Sequence, residues 1–158
     1  MENNFKAATY VQVREEIIKM QNCGGAMIKP LVLYQIFDLM IVDEERTRMT
    51  KSRIRDIADT YCALCNEYYL IYCFDKHPQT KFYMSEERWA KYFLGQKARE
   101  NSIKFLVEYE IIRCEKIRNP NKAINIIRTY EFDLDWLIKF RKAAEELYQK
   151  SKAKRKKI

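Results

Sequence analysis

The residues with the sharpest chemical potential are Cys62, Cys65, Cys73 and His77, spaced C-x2-C-x7-C-x3-H. Thiolates and an imidazole at such spacing can hold zinc, provided all four converge on one tetrahedron, usually through glycine-containing knuckles. The intervening Asn66–Tyr72 run has no Gly or Pro and is largely aromatic and aliphatic. It reads as packed core, where a free cysteine behaves as a small hydrophobe. The five cysteines are therefore expected as reduced thiols, with no metal and no cofactor, and His77, ahead of Pro78, as a loop residue. Carboxylate pairs such as Asp56/Asp59 and Glu86/Glu87 are expected on solvated helix faces. With one histidine and no glycine-rich phosphate loop, H-E-x-x-H or G-x-S-x-G pattern, no enzyme is expected.

A second set suits recognition. Gln96, Lys97, Arg99, Asn101 and Lys104 are donors of the kind that bond purine edges in a DNA major groove. Arg113, Lys116, Arg118, Lys122 and Arg128 follow. Between Gln96 and Arg128 there are eight basic residues and four acids, a local net charge of +4. The net charge of the whole chain is +8, but six basic residues fall in Lys150–Ile158, which leaves about +2 for the rest. Like charges in such a tail repel, so it is expected to stay mobile and to track phosphates without sequence preference, through Lys154, Arg155, Lys156 and Lys157 among others.

The elements that position these donors are legible between Phe82 and Phe132. Phe82-Tyr83-Met84 reads as a short strand. Ser85 can cap a helix whose first turn holds Glu86 and Glu87, with Trp89, Ala90 and Phe93 on one face. Gly95 is expected to allow a sharp turn that other residues would resist. A second helix then runs to about Tyr109, with Ile103, Leu106 and Val107 facing inward and Tyr109 partly so. Gln96, Lys97, Arg99, Glu100, Asn101 and Lys104 are left toward solvent. Two β-rich runs, Ile111–Arg118 and Ala123–Phe132, flank a polar tip, Asn119-Pro120-Asn121-Lys122. Strand, helix, turn, helix, hairpin is the order of a winged helix-turn-helix, which sets one exposed helix against the major groove. The hairpin beside it would hold backbone phosphate.

Elsewhere the signals are coarser. Tyr10-Val11-Gln12-Val13 alternates like a strand. Glu15 to Met20 reads as a short helix ended by Asn22-Cys23-Gly24-Gly25. Pro30 suits a first helical turn, with Leu31, Leu33, Tyr34, Phe37, Met40 and Ile41 as a core-facing stripe. Charged Asp43–Arg48 interrupts. Thr50 caps a helix from Lys51 to about Leu64, through Ile54, Ile57, Ala58 and Tyr61. Tyr68–Phe74 fits helix or strand equally. After Phe132, Asp133 or Asp135 can cap a last helix with Leu137, Phe140, Arg141, Ala144, Leu147 and Tyr148 as its stripe. That helix could pack on its own domain or on the same helix of a second subunit.

A chain of 158 residues with 47% hydrophobic content, 13% aromatics, three Gly and three Pro is too rich in core formers to be disordered. No apolar run is long enough to cross a bilayer, and Met1-Glu2-Asn3-Asn4 has no signal-peptide character, so a cytoplasmic protein without membrane contact is expected. The expected fold class is α+β, mainly α: a winged helix-turn-helix with an inserted helical segment and a C-terminal helix. Residues 1–133 would form the winged-helix domain with its N-terminal extension (helix-turn-helix 85–109, wing 111–132). Residues 134–158 would form the C-terminal helix and basic tail.

Met84-Ser85-Glu86-Glu87-Arg88-Trp89-Ala90-Lys91-Tyr92-Phe93, followed by Ile103-Lys104-Phe105-Leu106-Val107-Glu108-Tyr109-Glu110-Ile111-Ile112, resembles winged-helix proteins of bacterial mobile elements. More narrowly, the segment is similar to helix-turn-helix and replication-associated proteins of phages and plasmids. The resemblance covers about residues 10–133, with its specific part in 84–112. Two departures stand out. Leu94 occupies the usual turn-glycine position, with Gly95 one place later, and Glu110 replaces the glycine that leads into the wing.

What the resemblance and the donor set imply together is a double-stranded DNA-binding protein acting in replication, partition or transcription control. Lys97, Arg99 and Asn101, with Gln96 and Lys104 beside them, would read bases; Arg118, Asn121, Lys122 and the tail would hold phosphates. A homodimer is the further expectation. The alternative is an adaptor or inhibitor that grips a protein of a replication or host-defence complex, using the aromatic-rich Tyr61–Phe74 region if exposed.

Overall fold

The computed structural model of the chain describes residues 4–24, 49–74, 78–92, 94–118 and 126–156. The first helix, α1 (Tyr10–Gly24), starts with an exchange of hydrogen bonds. The Thr9 amide donates to Gln12 Oε1 at 2.9 Å, and the Gln12 amide donates to Thr9 Oγ1 at 3.3 Å. Thr-x-x-Gln is a capping box, so the Tyr10–Val13 stretch is helical and not the strand its alternation suggested. Val13, Ile17 and Met20 then form the buried stripe at helical spacing. Asn22, Cys23 and Gly24, expected to end the helix, are still part of it, and Gly25 lies outside the described residues.

Helix α2 (Lys51–Tyr72) is capped by Thr50, whose Oγ1 accepts from the Arg53 amide at 3.1 Å. It runs two turns beyond the expected end at Leu64, because Cys65 and Tyr68 continue the Ile54-Ile57-Ala58-Tyr61 stripe and both are fully buried. Strand β1 (Phe82–Tyr83) stops short of Met84. Helix α3 (Glu86–Ala90) is brief and capped by Ser85, whose hydroxyl accepts from the Arg88 amide at 3.3 Å. Helix α4 (Gln96–Glu108) follows, then β2 (Ile112–Arg118), β3 (Ile126–Phe132) and α5 (Leu134–Lys156). The result is a mainly helical α+β fold with one antiparallel sheet of order β1-β3-β2 among the described residues.

The register places Phe82 opposite Tyr130 and Tyr130 opposite Cys114, with Phe132 opposite Ile112. These side chains share the core face, since directly opposed residues of antiparallel strands point the same way. Phe132 and Phe82 are 5.2 Å apart between ring centroids, and Tyr68 and Tyr61 meet them from α2. Phe140 of α5 closes on Tyr61 at 4.7 Å. One aromatic cluster thus joins α2, the sheet and α5. The stripe of α5 is used within the chain: α5 packs along α1, where Arg141 bonds the buried carboxylate of Glu16.

Asp133 caps α5 by accepting from the Trp136 amide at 2.9 Å, and its other oxygen accepts from the Lys6 amide. Burial pushes this carboxyl above the usual range, and the two amide donors oppose that shift. The described part of the basic tail is not loose chain: α5 continues as helix to Lys156.

The α4–β2 junction answers one sequence departure. Glu110 has φ 56°. Its amide donates to Val107 O at 3.0 Å, and the Ile111 amide donates to Leu106 O at 2.9 Å. That pair of bonds is a Schellman motif, whose left-handed position favours glycine. An L-residue there costs about 1–2 kcal/mol. Part of that is returned by Glu110 Oε2, which accepts from the Asn4 amide at 3.0 Å. Glu110→Gly is expected to raise stability by about 0.5 kcal/mol once the greater freedom of unfolded glycine is counted. A lower urea midpoint for the variant would contradict this reading. Gly95, by contrast, has φ −63° and open space around its α-carbon, so the turn needs no glycine there.

The expected helix Leu31–Ile41, the charged Asp43–Arg48 run, Phe93 and His77 lie outside the described residues.

Candidate nucleic-acid interface

Helix α4 is amphipathic in a way that sorts the candidate residues. Ser102, Ile103 and Leu106 face the core, while Gln96, Lys97, Asn101 and Lys104 are exposed. Lys97, Asn101 and Lys104 stand at i, i+4 and i+7 and so form one stripe. Val107, expected inside, is 38% exposed on this helix. Ala90 of α3, expected on one face with Trp89, is exposed, whereas Trp89 is buried.

Arg99 is the main correction. Its side chain is 6% exposed, so it does not present itself to a ligand. The guanidinium makes a two-pronged bond to Glu86, Nη1 to Oε2 at 3.1 Å and Nη2 to Oε1 at 3.0 Å, and lies 5.1 Å from the Trp89 ring centroid. Helical spacing explains this: Arg99, Ile103 and Leu106 share the inward face. Arg99 therefore locks α3 to α4. Glu100, 3.8 Å from Arg99 Nη2, also bonds the Arg128 guanidinium on β3. The chain Glu86–Arg99–Glu100–Arg128 ties both helices of the pair to the hairpin.

A second tie comes from α2. Glu67 is buried, and its Oε1 accepts from the Tyr92 hydroxyl at 2.8 Å and from Lys91 Nζ at 3.4 Å. Burial first, and then the Glu67 contact, hold the Tyr92 phenol well above its ordinary range. The turn after α3 is thus anchored to α2 by a protonated phenol and a carboxylate.

The hairpin divides its cations between two faces. Lys116 and Arg128 are opposed in register and share the parity of Cys114 and Tyr130, so they lie on the side toward α4. Lys116 is exposed, and Arg128 is held by Glu100. Arg113 lies on the other face, its guanidinium 4.0 Å from the Phe5 ring centroid. Arg118 closes β2 opposite Ile126. Asn121, Lys122 and Lys157 lie outside the described residues, and Lys154, Arg155 and Lys156 belong to the last turns of α5, with Lys154 exposed.

A cleft of about 560 Å³ separates the first turns of α2 and α4, with Arg53 on one side and Lys97 on the other. Arg53 lies outside the donor set of Gln96–Arg128. The only available signal was its place in the first turn after the Thr50 cap.

The cysteines behave as core. Cys62 and Cys65 are buried in α2, and Cys62 Sγ accepts from Asn66 Nδ2 at 3.2 Å. Burial pushes the Cys62 and Cys73 thiols up to about 12. Among the described residues no group of three or more potential ligands could hold a metal ion. Most of Tyr61–Tyr68 is likewise interior, so only Leu70 and Phe74 of the Tyr61–Phe74 region are strongly exposed. Among the described residues no helix is long and apolar enough to cross a membrane.

Comparison with protein-family models, with curated proteins and with solved structures finds no match.

Proposed function

We propose that the protein is a winged helix-turn-helix that binds double-stranded DNA, serving replication, partition or transcription control of a mobile element in the cytoplasm. The observation that carries this reading is the exposed Lys97-Asn101-Lys104 stripe on α4, set beside a hairpin whose α4-facing side carries Lys116. The order of elements supports it: α4 leads into β2, β3 pairs with both β2 and β1, and Arg128 of β3 bonds Glu100 of α4. Asn101 and Gln96 would bond base edges, and Lys97, Lys104, Lys116, Arg118 and the hairpin tip would hold phosphates. The action is binding, with no bond made or broken. A second copy of the chain is a further proposed partner, through surfaces other than the α5 stripe.

Selection of bound duplexes from a random pool tests this reading. Asn101→Ala is expected to relax preference at one base position at a cost of about 1–3 kcal/mol, and Lys104→Ala to weaken all duplexes alike. A pool that yields no enriched sequence, with both variants behaving as wild type, would contradict it.

A second reading has one observation in its favour. Val11, Leu70 and Phe74 are 60%, 55% and 65% exposed, an unusual degree for large apolar side chains near the α1–α2 end of the fold. A protein partner gripping Phe74 would account for them, and copurification of one stoichiometric protein without duplex binding would favour that role.

A further inference from the structure

We propose that the cleft between the first turns of α2 and α4 seats a phosphodiester of the bound duplex, which extends the interface onto α2. This rests on the DNA-binding reading above and adds residues that it does not use. The walls are Ser52, Arg53 and Asp56 from α2 and Gln96, Lys97 and Asn101 from α4. Lys97 and Asn101 are the start of the α4 stripe, so a strand lying along that stripe passes the mouth of the cleft.

The cleft brings two exposed cations together across its mouth. Arg99, Arg128, Arg141 and Lys91 are each neutralised by a carboxylate. Arg53 and Lys97 are exposed, and neither has an ion pair with a described carboxylate. Asp56 is the one acid among the described lining residues, so the cations outnumber it. Ser52 adds a neutral O–H donor. A phosphodiester carries one negative charge and only acceptor oxygens, which suits two cations backed by a hydroxyl. The cleft is open to solvent, so a phosphate still attached to its sugars can enter its 560 Å³ of space.

The test measures fluorescence anisotropy of a labelled random-sequence duplex against wild type, Arg53→Ala, Arg53→Lys and Asp56→Asn, each checked for folding by circular dichroism. Arg53→Ala should weaken binding to all sequences. It should also shrink the affinity loss between about 50 and 200 mM salt by about 3.5-fold, the share of one phosphate contact. Arg53→Lys should keep the wild-type salt slope, and Asp56→Asn should bind more tightly than wild type. If Arg53→Ala matches wild type in affinity and slope, the cleft assignment is overturned while duplex binding through α4 stands. If wild type shows no salt-dependent binding to any duplex, both fall. Titration with inorganic phosphate distinguishes a free anion: saturation that Arg53→Ala abolishes, without any change in duplex binding, also overturns the assignment.

Discussion

Phe132→Ala is expected to remove about 3–5 kcal/mol of folding stability, a large share of the roughly 5–15 kcal/mol of an ordinary domain. Phe132 is 1% exposed at the end of β3, and its ring meets Phe82, Tyr61 and Tyr68 at centroid distances of 5.2, 5.7 and 5.7 Å. These partners come from β1 and α2, so truncation opens a cavity where the sheet joins the helices. The rings around it are held by their own neighbours and can close the space only in part. Urea unfolding followed by circular dichroism should show a large drop in midpoint at nearly constant slope. Ile117→Ala, on the outer sheet face at 40% exposure, should change stability by no more than about 0.5 kcal/mol. A loss below about 1 kcal/mol for Phe132→Ala would place the centre of the core elsewhere.

Arg99→Ala is expected to cost about 2–3 kcal/mol, through lost charge-assisted bonds and lost cover over Trp89. Glu86 is 80% exposed, so its freed carboxylate returns to water and adds no stranded buried charge. Arg99→Lys should not restore stability, because an ammonium cannot make the two-pronged bond to Glu86 or stack on the indole. Lys97→Ala, on the opposite face of the same helix, should leave stability within about 0.5 kcal/mol. These outcomes separate a locking role from a reading one. If Arg99→Ala unfolds at the wild-type urea concentration and loses only sequence preference in DNA binding, Arg99 reads bases and the structural assignment is wrong.

Arg99 also shows where sequence reasoning divides. By composition it belongs with Lys97 and Asn101 as a recognition donor. By periodicity it belongs with Ile103 and Leu106, and periodicity is the better guide to where a helical side chain points. Its partner Glu86 was not legible, since that contact depends on the angle between α3 and α4. The helix starts at Thr50 and Ser85 were legible because a cap is a local hydrogen bond with a fixed residue preference. The Thr9–Gln12 box is equally local, but the strand expectation for Tyr10–Val13 rests on alternation in four residues alone. The end of α2 was obscured by Tyr and Cys, which suit strand and helix about equally until Tyr68 is seen to point at Phe82. The donors Lys97, Asn101 and Lys104 are exposed as expected. The hairpin cations were read as one set, yet the strand pleat separates Arg113 from Lys116 and Arg128. Arg53 was missed because the cleft it lines forms only when α2 and α4 pack.

Local charge therefore has to be counted after pairing. Of the cations between Gln96 and Arg128, Arg99 and Arg128 are neutralised by Glu86 and Glu100, and Arg113 faces Phe5. Lys97, Lys104 and Lys116 are the described cations that remain available to phosphate on this surface.

The most direct measurement is the affinity of the full chain for a random-sequence duplex as a function of salt, with the double variant Lys97→Ala/Lys104→Ala alongside. Wild type should bind with a log–log slope of several, and the double variant should lower that slope by about 1.8, two contacts' worth. Absence of salt-dependent binding, or a double variant with the wild-type slope, would contradict the assignment of DNA binding to this face of α4.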